Sequence, residues 1–251
     1  MSTQMLPPAS SGVLDTYNRP YLEPPDESLP GISLQAPSSF FGAEAFFRIP
    51  PAEKEALSEP QRRAFDRELA FLELLLKAND LPCYEHSMRV KRLTHVFLEV
   101  MELAPDDAMI IEAAALLHDI GKIIIDVKLL AKSVPLSAGE FEIIRKHPTF
   151  GAMILQQFKT MKCVMPLVYH HHERWDGKGY PCGLREEAIP PGARIVAIID
   201  AFDAMTSQRP YRPARMPAQA LAELSTCAAT QFDPVLVKQF CDILETSLSV
   251  R

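Results

Sequence analysis

The chain is short of several things, and each shortage excludes a class of protein. Nowhere do eighteen apolar residues follow one another, so no segment reads as a membrane-spanning helix. The start, MSTQMLPPASSGVLDTYNRP, lacks the basic stretch and apolar run of a secretory signal, and the expectation is a soluble, cytoplasmic protein. The five cysteines (Cys83, Cys163, Cys182, Cys227 and Cys241) are odd in number and include no CxxC spacing. They read as small buried apolar residues of a reduced compartment rather than a disulfide framework. Positive charge is not in surplus either: the formal net charge is −6, so neither DNA, RNA nor an anionic membrane is attracted generally. Any contact with phosphate must come from a local basic cluster. No alternation of apolar and polar residues lasts long enough to demand a sheet, and there is no internal repeat.

What is present divides into two parts. Residues 1–52 hold nine of the 22 prolines and no sustained period, so they read as a flexible proline-rich arm that cannot bury enough apolar surface to offset the entropy of ordering. Its aromatic pieces, Phe40, Phe41, Phe46 and Phe47, can dock on the domain or a partner, or simply pack loosely. Residues 53–251 form the domain. Apolar residues there recur three and four apart, as in Phe65, Leu69, Leu72, Leu75 and Leu76, then Val90, Leu93, Val96, Phe97 and Val100. Further helical runs cover 107–119, 138–146, 149–157, 195–206, 217–228 and 234–247, with Pro or Gly between them. The predicted architecture is an all-α bundle with irregular loops.

The chemistry sits in polar residues placed against these apolar runs. AAALLHDIGK ends a strongly apolar helix in His118 and Asp119, with Gly121 as the helix stop. Taken alone, an HD dipeptide fits a satisfied buried pair as well as a metal site. His86 near a helix start, His147 in RKHPTFG, His171 and His172 in YHHHERWDG, and Asp200 inside RIVAIIDAF raise the count. Each has a plain alternative: a surface histidine, a helix cap before Pro148, a buried carboxylate paired with arginine. One metal cluster explains them together, since five of the seven histidines fall in these positions. Imidazoles and carboxylates without thiolate suit iron, manganese or zinc, while calcium and magnesium prefer oxygen. Asp119, with two oxygens, is the natural bridge between two ions about 3.5–4 Å apart, a geometry suited to in-line phosphoryl displacement. That predicts a phosphodiesterase.

The ordered set of His86, HDIGK (118–122), KHP (146–148), HHERWDGKGYP (171–181) and IIDAFDAMTSQRPYR with Asp200 resembles the HD-GYP branch of the HD superfamily, over roughly residues 82–240. The resemblance implies an all-α HD-superfamily helical bundle with a centre of divalent iron or manganese that hydrolyses cyclic di-GMP to pGpG and onward to GMP in some members. It implies His86, His118, Asp119, His147, His171, His172 and Asp200 as metal ligands, and Asp119 and Lys122 as catalytic residues. Lys122, Gly179, Tyr180, Pro181, Arg209 and Arg212 are implied to bind substrate, the arginines through bidentate contacts. The GYP loop is implied to serve also as a dock for a diguanylate cyclase (GGDEF) domain; a turn that only pins two helices is the plainer reading.

The chain departs from the family's pattern in two places. Members with a third metal carry a glutamate one turn before the first histidine; Pro82 stands there, and Glu85 lies about 100° round the helix from His86, so two ions are expected. IIIDVKLLAKSVPLS (123–137) replaces the usual pocket-bordering loop, which leaves substrate preference open. His95 reads as a helix-surface residue, His170 as orienting its neighbours or facing solvent, and Asp203 as a partner behind the ligands. The alternative function is a catalytically weak module that binds cyclic di-GMP or docks the cyclase domain; other nucleotides, mixed cyclic dinucleotides among them, form a third reading.

Overall fold

Proline sits in the first or second position of eight of the ten α-helices of the computed structural model, which describes residues 57–208 and 213–249. The fixed φ of proline suits a helix start, and its missing N–H falls where no intrahelical acceptor exists. Thus α1 (Glu59–Asn79), α2 (Leu81–Val100) and α3 (Pro105–Leu117) begin at Pro60, Pro82 and Pro105. Pro82, where a third-metal glutamate would stand, is therefore a helix-starting residue, and the Asp80 side chain caps the same turn by accepting from Cys83 N at 2.9 Å.

After α3 the chain makes a 3₁₀ turn (Ile120–Ile124), short helices α4 (Val127–Leu130) and α5 (Ala138–Ile144), then α6 (His147–Leu155) and α7 (Met165–His170). A long loop leads to α8 (Pro191–Thr206), α9 (Pro217–Thr226) and α10 (Pro234–Ser249). Among the described residues there is no strand, only an isolated bridge between Ala228 and Phe232, in line with the predicted all-α bundle. No helix is long and apolar enough to cross a membrane, again among the described residues.

Two helices carry the centre. Burial is unbroken from Ala113 to Lys122 and from Ile198 to Met205, so the C-terminal halves of α3 and α8, with the start of the 3₁₀ turn, lie inside the molecule. Around them α1 buries the stripe Phe65, Leu72 and Leu76, while α2 buries Val90, Thr94, Phe97 and Leu98. Truncating such leucines to alanine costs about 2–5 kcal/mol each. The polar residues that interrupt α3 and α8, namely His118, Asp119 and Asp200, are thus fixed by a packed apolar frame. The expected arm, residues 1–52, lies outside the described residues, as do Arg209 and Arg212.

All five thiols are free. Cys83 and Cys241 are buried as expected, but Cys163 and Cys227 are half-buried and Cys182 is exposed, so the expectation of five buried cysteines is only partly right. Cys182 lies in a loop rather than a helix, where no apolar face covers it.

Candidate metal centre

Three of the histidines are locked in the same way. His118 Nδ1 lies 2.9 Å from Ala115 O, His147 Nδ1 2.8 Å from Ile144 O, and His171 Nδ1 2.7 Å from Val168 O. A carbonyl oxygen can only accept, so each Nδ1 donates and, in the neutral ring, each Nε2 presents a lone pair. The lock arises because each histidine lies within three residues after the end of a helix, α3, α5 or α7, within reach of the carbonyl three residues back. His86 is held otherwise: its Nδ1 donates to Asp203 Oδ2 at 2.7 Å.

These rings converge. His86 and His118 have ring centroids 5.2 Å apart, His118 and His171 5.2 Å, His147 and His172 4.9 Å, and His171 and His172 4.1 Å. The ligand atoms fall into two groups, each within 4.8 Å of one another: His86, His118 and Asp119 in one, His147, His171 and His172 in the other. Asp119 faces both. Its Oδ2 is 3.4 Å from His118 Nε2, and its Oδ1 is 3.3 Å from His147 Nε2. Asp200 Oδ1 lies 3.0 Å from His86 Nε2 and 3.8 Å from His118 Nε2.

The donor set fits cations. Buried His118 Nε2, His172 Nε2, Asp119 Oδ1 and Asp200 Oδ1 have no hydrogen-bond partner, a costly arrangement for buried polar atoms unless something else satisfies them. His147 Nε2 and His171 Nε2 face each other at 3.3 Å, and with both Nδ1 atoms donating to carbonyls, two lone pairs are opposed. Burial pushes the pKa of His147 down to about 4 and those of His171 and His172 well below the usual imidazole range, so a proton is a poor bridge between them. Burial also works against the charge of Asp119, but Lys122 and His118 outweigh it and hold that carboxyl well below its usual range. Neutral imidazoles around an ionised carboxylate are what a divalent cation requires.

Lys122, buried on the 3₁₀ turn, pairs with Asp119 Oδ2. The Tyr180 ring stacks on the His172 imidazole with centroids 4.8 Å apart. Gly179 is glycine because of close approach: a Cβ there would lie 2.5 Å from Glu173 Cα and 2.6 Å from His172 O. Gly177, at φ +77°, supplies the expected turn, and Pro181 follows Tyr180 in the same loop. Asp203 stands behind His86 as expected, and His95 is exposed. His170 is buried against Glu173, which removes the reading in which it faces solvent. The plain alternative for Asp200, pairing with an arginine, also fails: Arg89 instead grips Asp203, at 2.8 and 3.0 Å.

Four residues that sequence reasoning passed over touch this constellation. Arg89 holds Asp203. Cys83 Sγ lies 3.9 Å from Asp119 Oδ2, and burial raises its thiol pKa. The Arg145 guanidinium lies over the Tyr180 ring, 4.6 Å from its centroid, and Glu173 accepts hydrogen bonds from the loop that carries Tyr180. Glu173 was in view as part of the HHE motif and Arg89 lies one turn beyond His86, but neither position says what it touches.

The chain is similar to known proteins over most of the described residues. A cyclic di-GMP phosphodiesterase of Thermotoga maritima is 37% identical over 174 residues, which cover 68% of this chain and 47% of that protein. The 3′3′-cGAMP-specific phosphodiesterase 2 of Vibrio cholerae serotype O1 is 35% identical over 163 residues, 64% of this chain and 30% of that protein. The chain thus spans less than half the length of these curated relatives. Bd1817, a HDG"Y"P protein from Bdellovibrio bacteriovorus, has the same fold, with a TM-score of 0.54 at 22% identity over 74% of this chain and 64% of that one. The HD domain family model matches residues 70–236, and the chain belongs to the HD domain family, in its HD-GYP branch.

Proposed function

We propose that the chain is a metal-dependent phosphodiesterase that hydrolyses cyclic di-GMP to pGpG in bacterial second-messenger signalling. In this reading His86, His118, Asp119 and Asp200 would hold one divalent ion, and Asp119, His147, His171 and His172 would hold a second, both iron or manganese. The observation that carries it is the placement of the two Asp119 oxygens, one 3.4 Å from His118 Nε2 and the other 3.3 Å from His147 Nε2. Two ions held there would supply Lewis acidity for in-line displacement at phosphorus.

The chain's own groups do the rest. The Nδ1 locks keep the Nε2 lone pairs of His118, His147 and His171 turned to the centre without rotamer search. Lys122 supplies a point charge for the scissile phosphate, and Gly179, Tyr180 and Pro181 wall the site beside His172. Arg209 and Arg212 supply planar, bidentate recognition of phosphate or a guanine edge. The names of the curated relatives, one acting on cyclic di-GMP and one on 3′3′-cGAMP, support a cyclic dinucleotide as the substrate class.

The test is metal loading followed by a substrate panel. Protein stripped of metal and reconstituted with iron(II), manganese(II) or zinc(II) is assayed with cyclic di-GMP, 3′3′-cGAMP and cyclic di-AMP. The expected result is two ions per chain, pGpG as product from cyclic di-GMP, and loss of both ions and turnover in Asp119→Ala. Uncut cyclic di-GMP after long incubation with the fully loaded protein would overturn the proposal, as would turnover by the Asp119→Ala protein. Faster cutting of 3′3′-cGAMP would move the substrate assignment while leaving the reaction class.

A further inference from the structure

Glu173 follows directly on His171 and His172, and its side chain is completely buried. Its carboxylate reaches into the loop that carries Tyr180: Oε1 accepts from Cys182 N at 2.7 Å, and Oε2 accepts from Leu184 N at 3.0 Å. Both oxygens are therefore used to close the loop back on the end of α7. Between these two anchor points the loop makes further contacts with the same segment. Tyr180 N donates to His172 O at 3.1 Å, the Tyr180 ring stacks on the His172 imidazole, and Gly179 lies too close to the backbone of residues 172–174 to admit a Cβ. The donor atoms of His170, Glu173 and Cys182 lie within 4.8 Å of one another. The two backbone N–H bonds to Glu173 account for that grouping without an ion.

A carboxylate that only braced a loop could sit anywhere along it. This one closes the loop where Tyr180 rests on His172 through both its backbone N–H and its ring, and the buried Nε2 of His172 has no hydrogen-bond partner. Whatever orders His172 orders the loop, and whatever orders the loop narrows the positions open to His172. Thermodynamic linkage makes that relation reciprocal.

We propose that Glu173 is a positioning residue that couples metal occupancy at His172 to the order of residues 177–184, so that the loop surface is firm when the centre is loaded and looser when it is empty. The inference rests on the metal centre proposed above and adds its regulation. It makes the loop a readout of metal state.

The experiment is amide hydrogen exchange on the full chain, with and without manganese(II), alongside manganese titration, in the wild type, Glu173→Gln and Glu173→Asp. In the wild type, loading slows exchange in the 177–184 peptide about tenfold, within the usual 5–150-fold range of coupled sites. Glutamine keeps one acceptor oxygen and points an N–H₂ at the other backbone N–H. Glu173→Gln therefore loses the metal-dependent slowing and binds one of the two ions about tenfold more weakly, as loss of a ligand's supporting partner does. Glu173→Asp keeps the charge at shorter reach and falls between. Exchange in α8 serves as the control for a folded chain, and the wild-type comparison stands even where a variant fails to fold. A wild type that loads two ions with no change in the 177–184 peptide overturns the coupling alone. So does a folded Glu173→Gln that keeps both the affinity and the slowing. A wild type that takes up no ion overturns the metal centre and the coupling with it.

Discussion

Asp203 and His86 meet across α8 and α2, with Asp203 Oδ2 2.7 Å from His86 Nδ1. Arg89, one turn along α2, fixes the same carboxylate through Nε at 2.8 Å and Nη2 at 3.0 Å. The carboxylate thus has one orientation available, and it hands that orientation to the imidazole. Burial raises the pKa of Asp203, but His86 and Arg89 outweigh it and hold the carboxyl down to about 2, so it remains an acceptor at any working pH. Asp203→Asn loses the charge and lets the ring turn. The expected outcome is a 10- to 100-fold loss of affinity, on the order seen when such supporting partners are removed, for the ion held by His86 and His118. Competition with a chelator measures it; unchanged affinity would leave Asp203 a purely structural residue.

Gly121 separates the HD pair from the packing beneath it. A Cβ there would lie 2.5 Å from Gly151 N and closer still to the His147 carbonyl, so the 3₁₀ turn rests directly on the backbone of α6. Backbone cannot yield as a side-chain end can. Gly121→Ala should therefore push α6, with His147, away from Asp119 and lower Tm by on the order of 5–10 °C. Gly139, in α5, has nothing within 4 Å of such a Cβ, and Gly139→Ala should leave Tm unchanged or raise it slightly. Equal melting of the two variants would contradict the packing described.

The separate fates of these residues show what could be read from sequence. The HD pair was legible because a long apolar run ended in two polar groups, and the structure shows that run buried without a break. The convergence of five histidines was legible through their number. Arg89 with Asp203 was only half legible, because the contact spans 114 positions and needs α2 and α8 side by side. The helix α7 was missed: six residues, almost all buried, have no polar face from which a period can be read. The Nδ1 locks escaped for a similar reason, since backbone carbonyls carry no sequence signal.

Acidity should act on the metal-free protein through the same imidazoles. Burial holds His147 at about 4 and His171 and His172 well below their usual range, while the unfolded chain takes up protons near pH 6.5. Between those limits the unfolded state binds more protons, so stability falls as the pH drops from about 6.5 towards 4, by up to about 3 kcal/mol for His147 alone. His86 works the other way. Burial pulls its pKa down, but Asp200 and Asp203 outweigh it and raise the pKa to about 9; its contribution is complete below about 6.5 and is lost as the pH rises through 9. Urea unfolding of stripped protein across pH 4–9 should therefore show its highest midpoint near pH 6–7. A flat profile from 6.5 to 4 would mean that the imidazoles are not held neutral.

Lys122 is the residue whose role can be split by experiment. In the structure its ammonium pairs with Asp119 Oδ2 and is buried. Two jobs are open to such a charge: stabilising the ionised Asp119, or meeting the scissile phosphate as negative charge develops. Lys122→Met keeps most of the length and removes the charge. If only the first job mattered, the variant would lose metal affinity and recover full rate once enough manganese was added. If the second matters, rate stays low at saturating metal, because the missing group acts in the transition state. The expected result is two ions bound and kcat about 100-fold lower, the usual loss when one preorganised donor is removed from a site of developing charge. Full turnover by the metal-saturated Lys122→Met protein would take Lys122 out of the reaction and leave it as the counter-charge of Asp119.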